Sequence, residues 1–212
     1  DQELTSKLSS FCKENKGTLF IGMMACLKIL IHKYTSLEDI SIGTPVQNRD
    51  HSDLKNQIGF YLNTIVLRSQ VNNDKSFYEV FNNVKKTVSE GLKHKQYPFD
   101  LLIENSNFSY EKNRNPLFDI MFSIQDQSAH SFTMIDEEVI NERIVEDLGE
   151  VSAKFDLLFN GVVENGKLCL YTEFNTDIYC KSYINSFLIN LRDLIGELLH
   201  NPDKEIKELN TV

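Results

Sequence analysis

Apolar residues recur along the chain at the spacing of one helical face in four long stretches. These stretches are residues 3–15, 18–35, 76–94 and about 180–200. The second is so rich in Leu, Ile and Met that a broad stripe of it should be buried. Ser76 is a suitable N-cap for the third, and Pro98 is well placed to start a short helix, 98–105. The pattern therefore predicts three long packing helices, 18–35, 76–94 and 180–200.

Other segments favour β-strands because β-branched and aromatic residues dominate them or because apolar and polar residues alternate. The predicted strands are 38–49, 58–68, 117–125, 154–163 and 167–175. Gly43 and Pro45 are expected to break the first strand into a loop. Asn165-Gly166 between the last two predicts an antiparallel hairpin. The acidic stretch 126–150 is predicted to be loop with one weak strand.

Helices and strands are interspersed, which predicts an α/β unit with a mixed sheet covered by helices. Residues 1–201 are expected to form this unit. From Pro202 the sequence becomes polar, so we predict that residues 202–212 are a polar tail or linker.

Charge and composition exclude several classes of protein. Acidic residues outnumber basic ones by 31 to 22, and a net charge of -9 disfavours nucleic-acid binding. No apolar run reaches the length of about 18 residues that a membrane helix needs, and no leader-like segment opens the sequence, so we expect a cytoplasmic protein without a membrane partner. The four cysteines form no CxxC pair and are expected to be buried free thiols.

Motifs that would reveal a catalytic chemistry by spacing alone are missing from the sequence. It has no GxSxG elbow, P-loop, HExxH or dinucleotide fingerprint, and its five histidines are never adjacent. Cys26 and His32 share a helix but have no partner at metal-ligand spacing, so no metal site is expected. Spacing alone does not assign a function.

Several segments, in chain order, resemble the later core motifs of condensation domains from non-ribosomal peptide synthetases. The most specific is IGFYLNTIVLR at 58–68, which is similar to the family pattern IGxFVNTxxxR. HKQYPFD at 94–100 resembles HQDxPFE at His94, Pro98 and Phe99. EKNRNPLFDIMFSIQ at 111–125 resembles RDxSRNPLFxxMFxxQ, although Glu111 and Lys112 replace its Arg-Asp pair. DISIGTPVQNRD at 39–50 and SAKFDLLF at 152–159 give weaker support.

The resemblance implies one half of a chloramphenicol acetyltransferase-like fold, in which two subdomains enclose a tunnel. Phosphopantetheine arms of carrier proteins enter that tunnel from opposite ends, and an upstream acyl thioester is joined to a downstream amine. The family's catalytic motif, HHxxxDG, lies in the N-terminal subdomain and is absent here. His94 is a poor substitute, so this C-terminal half is expected to have no catalytic residue and to be inactive alone.

The partners implied by the resemblance are the N-terminal condensation subdomain, peptidyl carrier domains and an adjacent adenylation domain. No cofactor is expected to bind directly, because substrates arrive on phosphopantetheine. Two alternatives stay open: a non-catalytic platform that docks carrier proteins, and half of an epimerization domain. The intact Asn63-Thr64 pair favours condensation over epimerization.

The resemblance also points to five residues at the tunnel or the subdomain interface, namely Asn63, Thr64, Arg68, Asn115 and Gln125. Arg68 is expected to pair across the subdomain boundary with the aspartate of HHxxxDG. For Asn63, Thr64 and Arg68, polar strand ends that are satisfied locally are the simpler alternative. Asn115 precedes a proline, so it equally suits a turn that leads into a strand.

Overall fold

The computed structural model of the chain describes residues 1–54, 56–106, 114–126 and 153–211. Within these ranges, five strands form one sheet, and five α-helices accompany them. The helices are α1 (Gln2–Glu14), α2 (Leu19–Thr35), α3 (Phe77–Lys93), α4 (Phe99–Asn105) and α5 (Lys181–His200). The strands are β1 (Asp39–Gln47), β2 (Leu62–Gln70), β3 (Ile120–Asp126), β4 (Leu157–Glu164) and β5 (Lys167–Phe174). The predicted α/β class with a mixed sheet is confirmed.

Local chemistry explains where the long helices begin. The Thr18 hydroxyl accepts a hydrogen bond from the backbone N–H of Ile21 and so caps α2. Ser76 and Glu79 form a reciprocal capping box at the start of α3. Every residue from 21 to 32 of α2 is buried, so this helix is enclosed on all sides rather than along one stripe.

The sheet has the strand order β2-β1-β3-β4-β5. Its outer pairs, β1 with β2 and β4 with β5, are antiparallel, and its inner pairs are parallel. The predicted hairpin between β4 and β5 is confirmed, and its turn residues Asn165 and Gly166 adopt φ of 50° and 75°. Only one residue pair, Gly43 with Met121, joins β1 to β3 in the described chain.

The predicted break in the first strand is wrong, because β1 continues through Gly43 and Pro45 to Gln47. Along its whole length β1 pairs with β2, which holds the backbone extended. Pro45 lies beyond the single pair with β3, and a missing N–H is tolerated along such an edge. Gly43 is needed for packing, since an added Cβ would lie 2.4 Å from the Phe118 ring.

Helices α1, α2, α3 and α5 cover one face of the sheet. Phe20 of α2 stacks on Phe122 of β3 with ring centroids 5.2 Å apart, and Phe187 of α5 stacks on Phe159 of β4 at 5.8 Å. On β2, Ile65, Leu67 and Ser69 point into this core, and the residues between them point away from it. We call the second face, which carries Thr64, Val66 and Arg68 of β2, the open face.

The segment after α5 packs against the body of the protein. Ile206 and Leu209 are buried, and the backbone N–H of Ile206 bonds to the carbonyl of Lys75. The Glu197 carboxylate accepts hydrogen bonds from the backbone N–H groups of Asn210 and Thr211. The expectation of a polar tail or linker missed this packing, and a domain end at residue 201 stays a prediction.

Other expectations have mixed outcomes. Cys12 and Cys26 are buried, but Cys169 is half-buried and Cys180 is exposed, so burial holds for only part of the set. The predicted loop and weak strand at 126–150 lie outside the described residues except for Asp126, which ends β3. In the described chain, no single helix is long and apolar enough to cross a bilayer; α1 and α2 have that length and composition only as a pair bent by 107°.

Candidate functional site

Three of the five predicted site residues lie on the open face or at its rim. Thr64 and Arg68 alternate along β2 with core-facing residues, and Gln125 is exposed near the end of β3. Between these positions the Ser123 hydroxyl donates to the Asn160 side-chain oxygen of β4. The open face therefore carries polar groups across β2, β3 and β4, which is unusual for a surface meant to be buried in a single packed core.

Arg68 has a partner within its own half of the fold. Its guanidinium Nε lies 2.8 Å and 3.0 Å from the two carboxylate oxygens of Asp39 on β1, and Nη2 contacts the same carboxylate. This contact lowers the pKa of Asp39 and raises that of Arg68. The Arg68 side chain is 68% exposed, so the pair is accessible on the open face.

Asn63 points away from the open face and holds a second motif segment in place. Its side-chain amide donates to the carbonyls of Lys95 and Tyr97, both at 2.7 Å. Its side-chain oxygen accepts from the backbone N–H of Phe99 at 3.2 Å. One asparagine thus satisfies three backbone groups of the turn between α3 and α4, and the contacts are within its own half of the fold.

Lys95 links the same turn to the loop that follows β1. Its ammonium contacts the Asp50 carboxylate and lies 3.0 Å from the carbonyl of Gln47, and Gln96 donates to Asp50 at 3.2 Å. These bonds lower the pKa of Asp50. The segments 39–50, 58–68 and 94–100, which resemble three family motifs, are therefore joined at one corner of the sheet. His94 is exposed at the end of α3.

The third motif segment, 111–125, is held at the edge of the sheet where the parallel strands β3 and β4 both begin. Arg114 forms ion pairs with Asp119, at 2.9 Å, and with Asp156, at 3.4 Å. The side-chain oxygen of Asn115 accepts from the backbone N–H of Leu117 at 3.1 Å, so Asn115 forms the turn into β3. Asn115 was predicted either to line the tunnel or interface or to form a turn, and this hydrogen bond is a direct contact for the turn.

Arg68 and Asn115 both line a cavity of about 620 Å³. Ser41 and Val66 of the open face line it, together with Leu102 of α4 and the turn that contains Phe118. Asn63, Thr64 and Gln125 do not line this cavity. The predicted residues thus divide into a group beside the cavity, a structural clamp at Asn63, and two polar positions elsewhere on the open face.

Lys28 is a buried residue that sequence reasoning missed. It is 0% exposed, and its ammonium nitrogen lies 2.8 Å and 2.7 Å from the carbonyl oxygens of Ile40 and Leu67 and 2.7 Å from the Ser69 hydroxyl. Burial lowers the pKa of Lys28 to about 7, against the opposing effect of Asp39. Lys28 therefore ties β1 to β2 directly beneath Asp39 and Arg68. A lysine in the middle of an apolar helix was the available signal.

Two large apolar side chains within the motif segment 58–68 are not covered by any of the described residues. Ile58 and Phe60 are 104% and 90% exposed. Both residues precede β2. The next residue, Tyr61, packs beneath Arg49, whose guanidinium carbon lies 4.3 Å from the centroid of the tyrosine ring. Exposed apolar groups on an otherwise ordered segment are typical of an interaction surface. Among the described residues, no group of three metal-binding side chains is present.

The sequence model of the condensation domain matches residues 1–212. The chain belongs to the condensation domain family. Bacitracin synthase 1 of Bacillus licheniformis is 32% identical over 212 residues, which are 100% of this chain and 4% of that synthase. Gramicidin S synthase 2 of Brevibacillus brevis is 29% identical over 212 residues, 98% of this chain and 5% of that protein. The chain thus spans less than a tenth of these relatives.

Solved structures agree with this condensation domain on the fold. A holo four-domain nonribosomal peptide synthetase bound to AMP and glycine has a TM-score of 0.85 at 20% identity, covering 100% of this chain and 17% of that one. The first condensation domain of the CDA synthetase has a TM-score of 0.77 at 16% identity, covering 100% and 46%. The X-domain from teicoplanin biosynthesis has a TM-score of 0.85 at 18% identity, covering 100% and 48%.

Proposed function

We propose that this chain is the C-terminal half of a peptide-bond-forming condensation domain, and that its open face forms one wall of the reaction tunnel. The observation that carries the proposal is the placement of Arg68 beside an open cavity on the face of the sheet opposite to α1, α2, α3 and α5. The chain also covers about half of the CDA condensation domain and of the X-domain. A second half is therefore expected to cover the open face.

The uncovered apolar groups support an interface in this region. Ile58 and Phe60 would gain most from burial, since each large apolar side chain stabilises by about 1.5–3 kcal/mol when it leaves water. The bonded corner formed by Asn63, Lys95 and Asp50 holds the adjoining segments in fixed positions. Ile58 and Phe60 lie beside the polar open face, and contact with a second subdomain would remove them from water.

The proposed reaction joins an amine to a thioester. The amine nitrogen attacks the thioester carbonyl, a C–N bond forms, the C–S bond breaks, and the carrier thiol leaves. The nitrogen must also lose a proton, and the resemblance implies that the second histidine of HHxxxDG, in the other half, either positions the amine or accepts this proton. The role proposed for Arg68 is to hold the aspartate of that motif, so Arg68 acts by positioning.

Because the ion pair with Asp39 is exposed, Arg68 is free to contact the aspartate of HHxxxDG as well. Asp39 and Arg68 meet in water, where such pairs contribute little to stability, so Arg68 can contact a second carboxylate without a large loss. The substrates are proposed to arrive on phosphopantetheine of carrier domains, with an adenylation domain nearby and with no directly bound cofactor. The cytoplasm remains the predicted location.

A second candidate function is a docking platform without chemistry. The X-domain from teicoplanin biosynthesis, which shares the fold at a TM-score of 0.84, forms a complex with OxyB. This observation favours a role in which the same fold binds another protein. Half of an epimerization domain also stays open, because the bonds of Asn63 are structural and do not depend on the reaction.

Formation of a dipeptidyl thioester tests the proposal. The 212-residue chain, with and without the N-terminal half, is mixed with an acyl-loaded and an aminoacyl-loaded carrier protein, and the carriers are analysed by intact-protein mass spectrometry. Product is expected only when both halves are present, because loss of the catalytic imidazole costs roughly 10²–10⁴-fold. Product from the chain alone contradicts the half-domain proposal, and no product from both halves favours the platform.

A further inference from the structure

A second and larger cavity, of about 740 Å³, lies on the helix-covered side of the sheet. Its walls are the start of α2, the middle and C-terminal turns of α3, the ends of β1 and β3, and part of β2. It shares no lining residue with the cavity beside Arg68. The apolar wall includes Phe20, Val46, Ile65, Leu92 and Ile124. Both its volume and its apolar lining match those of small-molecule sites, which are roughly 300–1,000 Å³.

The cavity lies beneath α2 and α3, beside the ends of β1 and β3 that are not paired with each other. The two parallel strands are paired at Gly43 and Met121, and no further residue pair joins them in the described chain. Thr44, Pro45 and Val46 of β1 and Ser123 and Ile124 of β3 then line the gap. Thr44 and Val46 lie on the core-facing side of β1 and Pro45 lies on the other side, so the cavity reaches into the gap between the two strands.

The charge at this cavity is opposite to that of the whole chain. Lys16, Lys85 and Lys86 line it, and no acidic residue lines it among the residues that the structure describes, although the chain carries a net charge of -9. Lys85 is half-buried and its ammonium donates to the carbonyl of Asn15 at 2.9 Å. Lys16 and Lys86 are exposed at the rim. A basic rim over an apolar wall is complementary to a ligand with an anionic head and an apolar chain.

We propose that this cavity binds a single-chain anionic amphiphile, with the alkyl chain against Phe20, Ile65 and Leu92 and the acid group at Lys16 and Lys86. Burial of the chain provides affinity in proportion to its length, and the lysines select the sign of the head group. This site is separate from the cavity beside Arg68 and does not rest on the proposed peptide-bond formation, since the two cavities share no lining residue.

Isothermal titration with decanoate tests the proposal on the 212-residue chain. Decanoate is expected to bind with a Kd below about 1 mM, and octanoate more weakly, by up to roughly fourfold for each CH₂ removed. Decanol and decyltrimethylammonium supply the same chain with a neutral and a cationic head, and both are expected to bind at least about tenfold more weakly than decanoate.

Variants locate the site. Lys16→Glu/Lys86→Glu should weaken decanoate binding by roughly tenfold or more, whereas Lys154→Glu/Lys181→Glu, which makes the same change in net charge away from the cavity, should leave it unchanged. Ser89→Phe places a ring in the cavity from an exposed helix position and should abolish binding with an unaltered circular dichroism spectrum. Absence of decanoate binding, equal binding of the cationic amphiphile, or equal losses in the two double variants would overturn the proposal.

Discussion

The buried Lys28 is expected to make the free energy of unfolding depend on pH. The side chain is enclosed between α2, β1 and β2, with Asp39 as the acidic group whose charge acts on it. Its three contacts suit either protonation state, because a neutral amine donates to the carbonyls of Ile40 and Leu67 and accepts from the Ser69 hydroxyl. Folding therefore lowers the pKa of Lys28 while its hydrogen bonds remain.

The sign of the effect follows from proton binding. The pKa of Lys28 falls from 10.5 to about 7 on folding, so between these two values the unfolded chain binds more protons than the folded chain. The free energy of unfolding must therefore rise with pH across this window. With a slope of at most about 1.4 kcal/mol per pH unit, the gain between pH 7 and pH 9 amounts to about 2 kcal/mol.

Urea unfolding of the 212-residue chain and of Lys28→Met at pH 7, 8 and 9 measures this gain. Other titrating groups are shared, so the difference in unfolding free energy between the two proteins isolates Lys28. That difference should shift by about 2 kcal/mol in favour of the wild-type chain from pH 7 to pH 9. Lys86→Met, which removes an exposed lysine, is the matched control. A pH-independent difference for Lys28→Met would refute the assignment of a lowered pKa.

Two further predictions concern stability. Asn63→Ala removes three hydrogen bonds to the turn between α3 and α4 and should cost about 2 kcal/mol in urea unfolding, whereas Gln125→Ala at an exposed position should cost far less; equal losses would contradict the clamp. Ending the chain after residue 201 removes the buried Ile206 and Leu209 and should lower the unfolding free energy by about 3–6 kcal/mol. An unchanged melting temperature after this truncation would instead support the predicted linker.

The sequence predicted best the helices and turns whose capping residues, apolar spacing and turn residues favour the same structure that the fold requires. Helix α3 combines a capping box at Ser76 with apolar residues on one face, and the hairpin turn at Asn165-Gly166 requires positive φ at both positions. Strand β1 was predicted less well because Gly43 and Pro45 break strands by local rules. Pairing with β2 and packing of Phe118 on Gly43 override those rules, and neither is visible in the sequence.

For the candidate site, the sequence identified residues but not their partners. Resemblance selected Asn63 and Arg68, yet it gave no indication that Asn63 holds residues 95–99 or that Asp39 pairs with Arg68. These contacts join positions 29 to 36 residues apart, so they follow from the fold rather than from spacing. Lys28 was missed for the same reason, since its partners on β1 and β2 become apparent only in three dimensions.

We propose that the peptide bond is formed at the open face, and the rate of dipeptidyl thioester formation tests this claim most directly. Dipeptidyl thioester formation is measured with the complete domain as wild type, as Arg68→Ala and as Arg192→Ala. Arg192 is a matched control, since it is also exposed and paired with an aspartate, but it lies on α5. Arg68→Ala should reduce the rate at least about tenfold, equivalent to about 1.4 kcal/mol, and should lower the melting temperature of the complete domain, whereas Arg192→Ala should leave both unchanged. Equal, unreduced rates for Arg68→Ala and Arg192→Ala would contradict the claim.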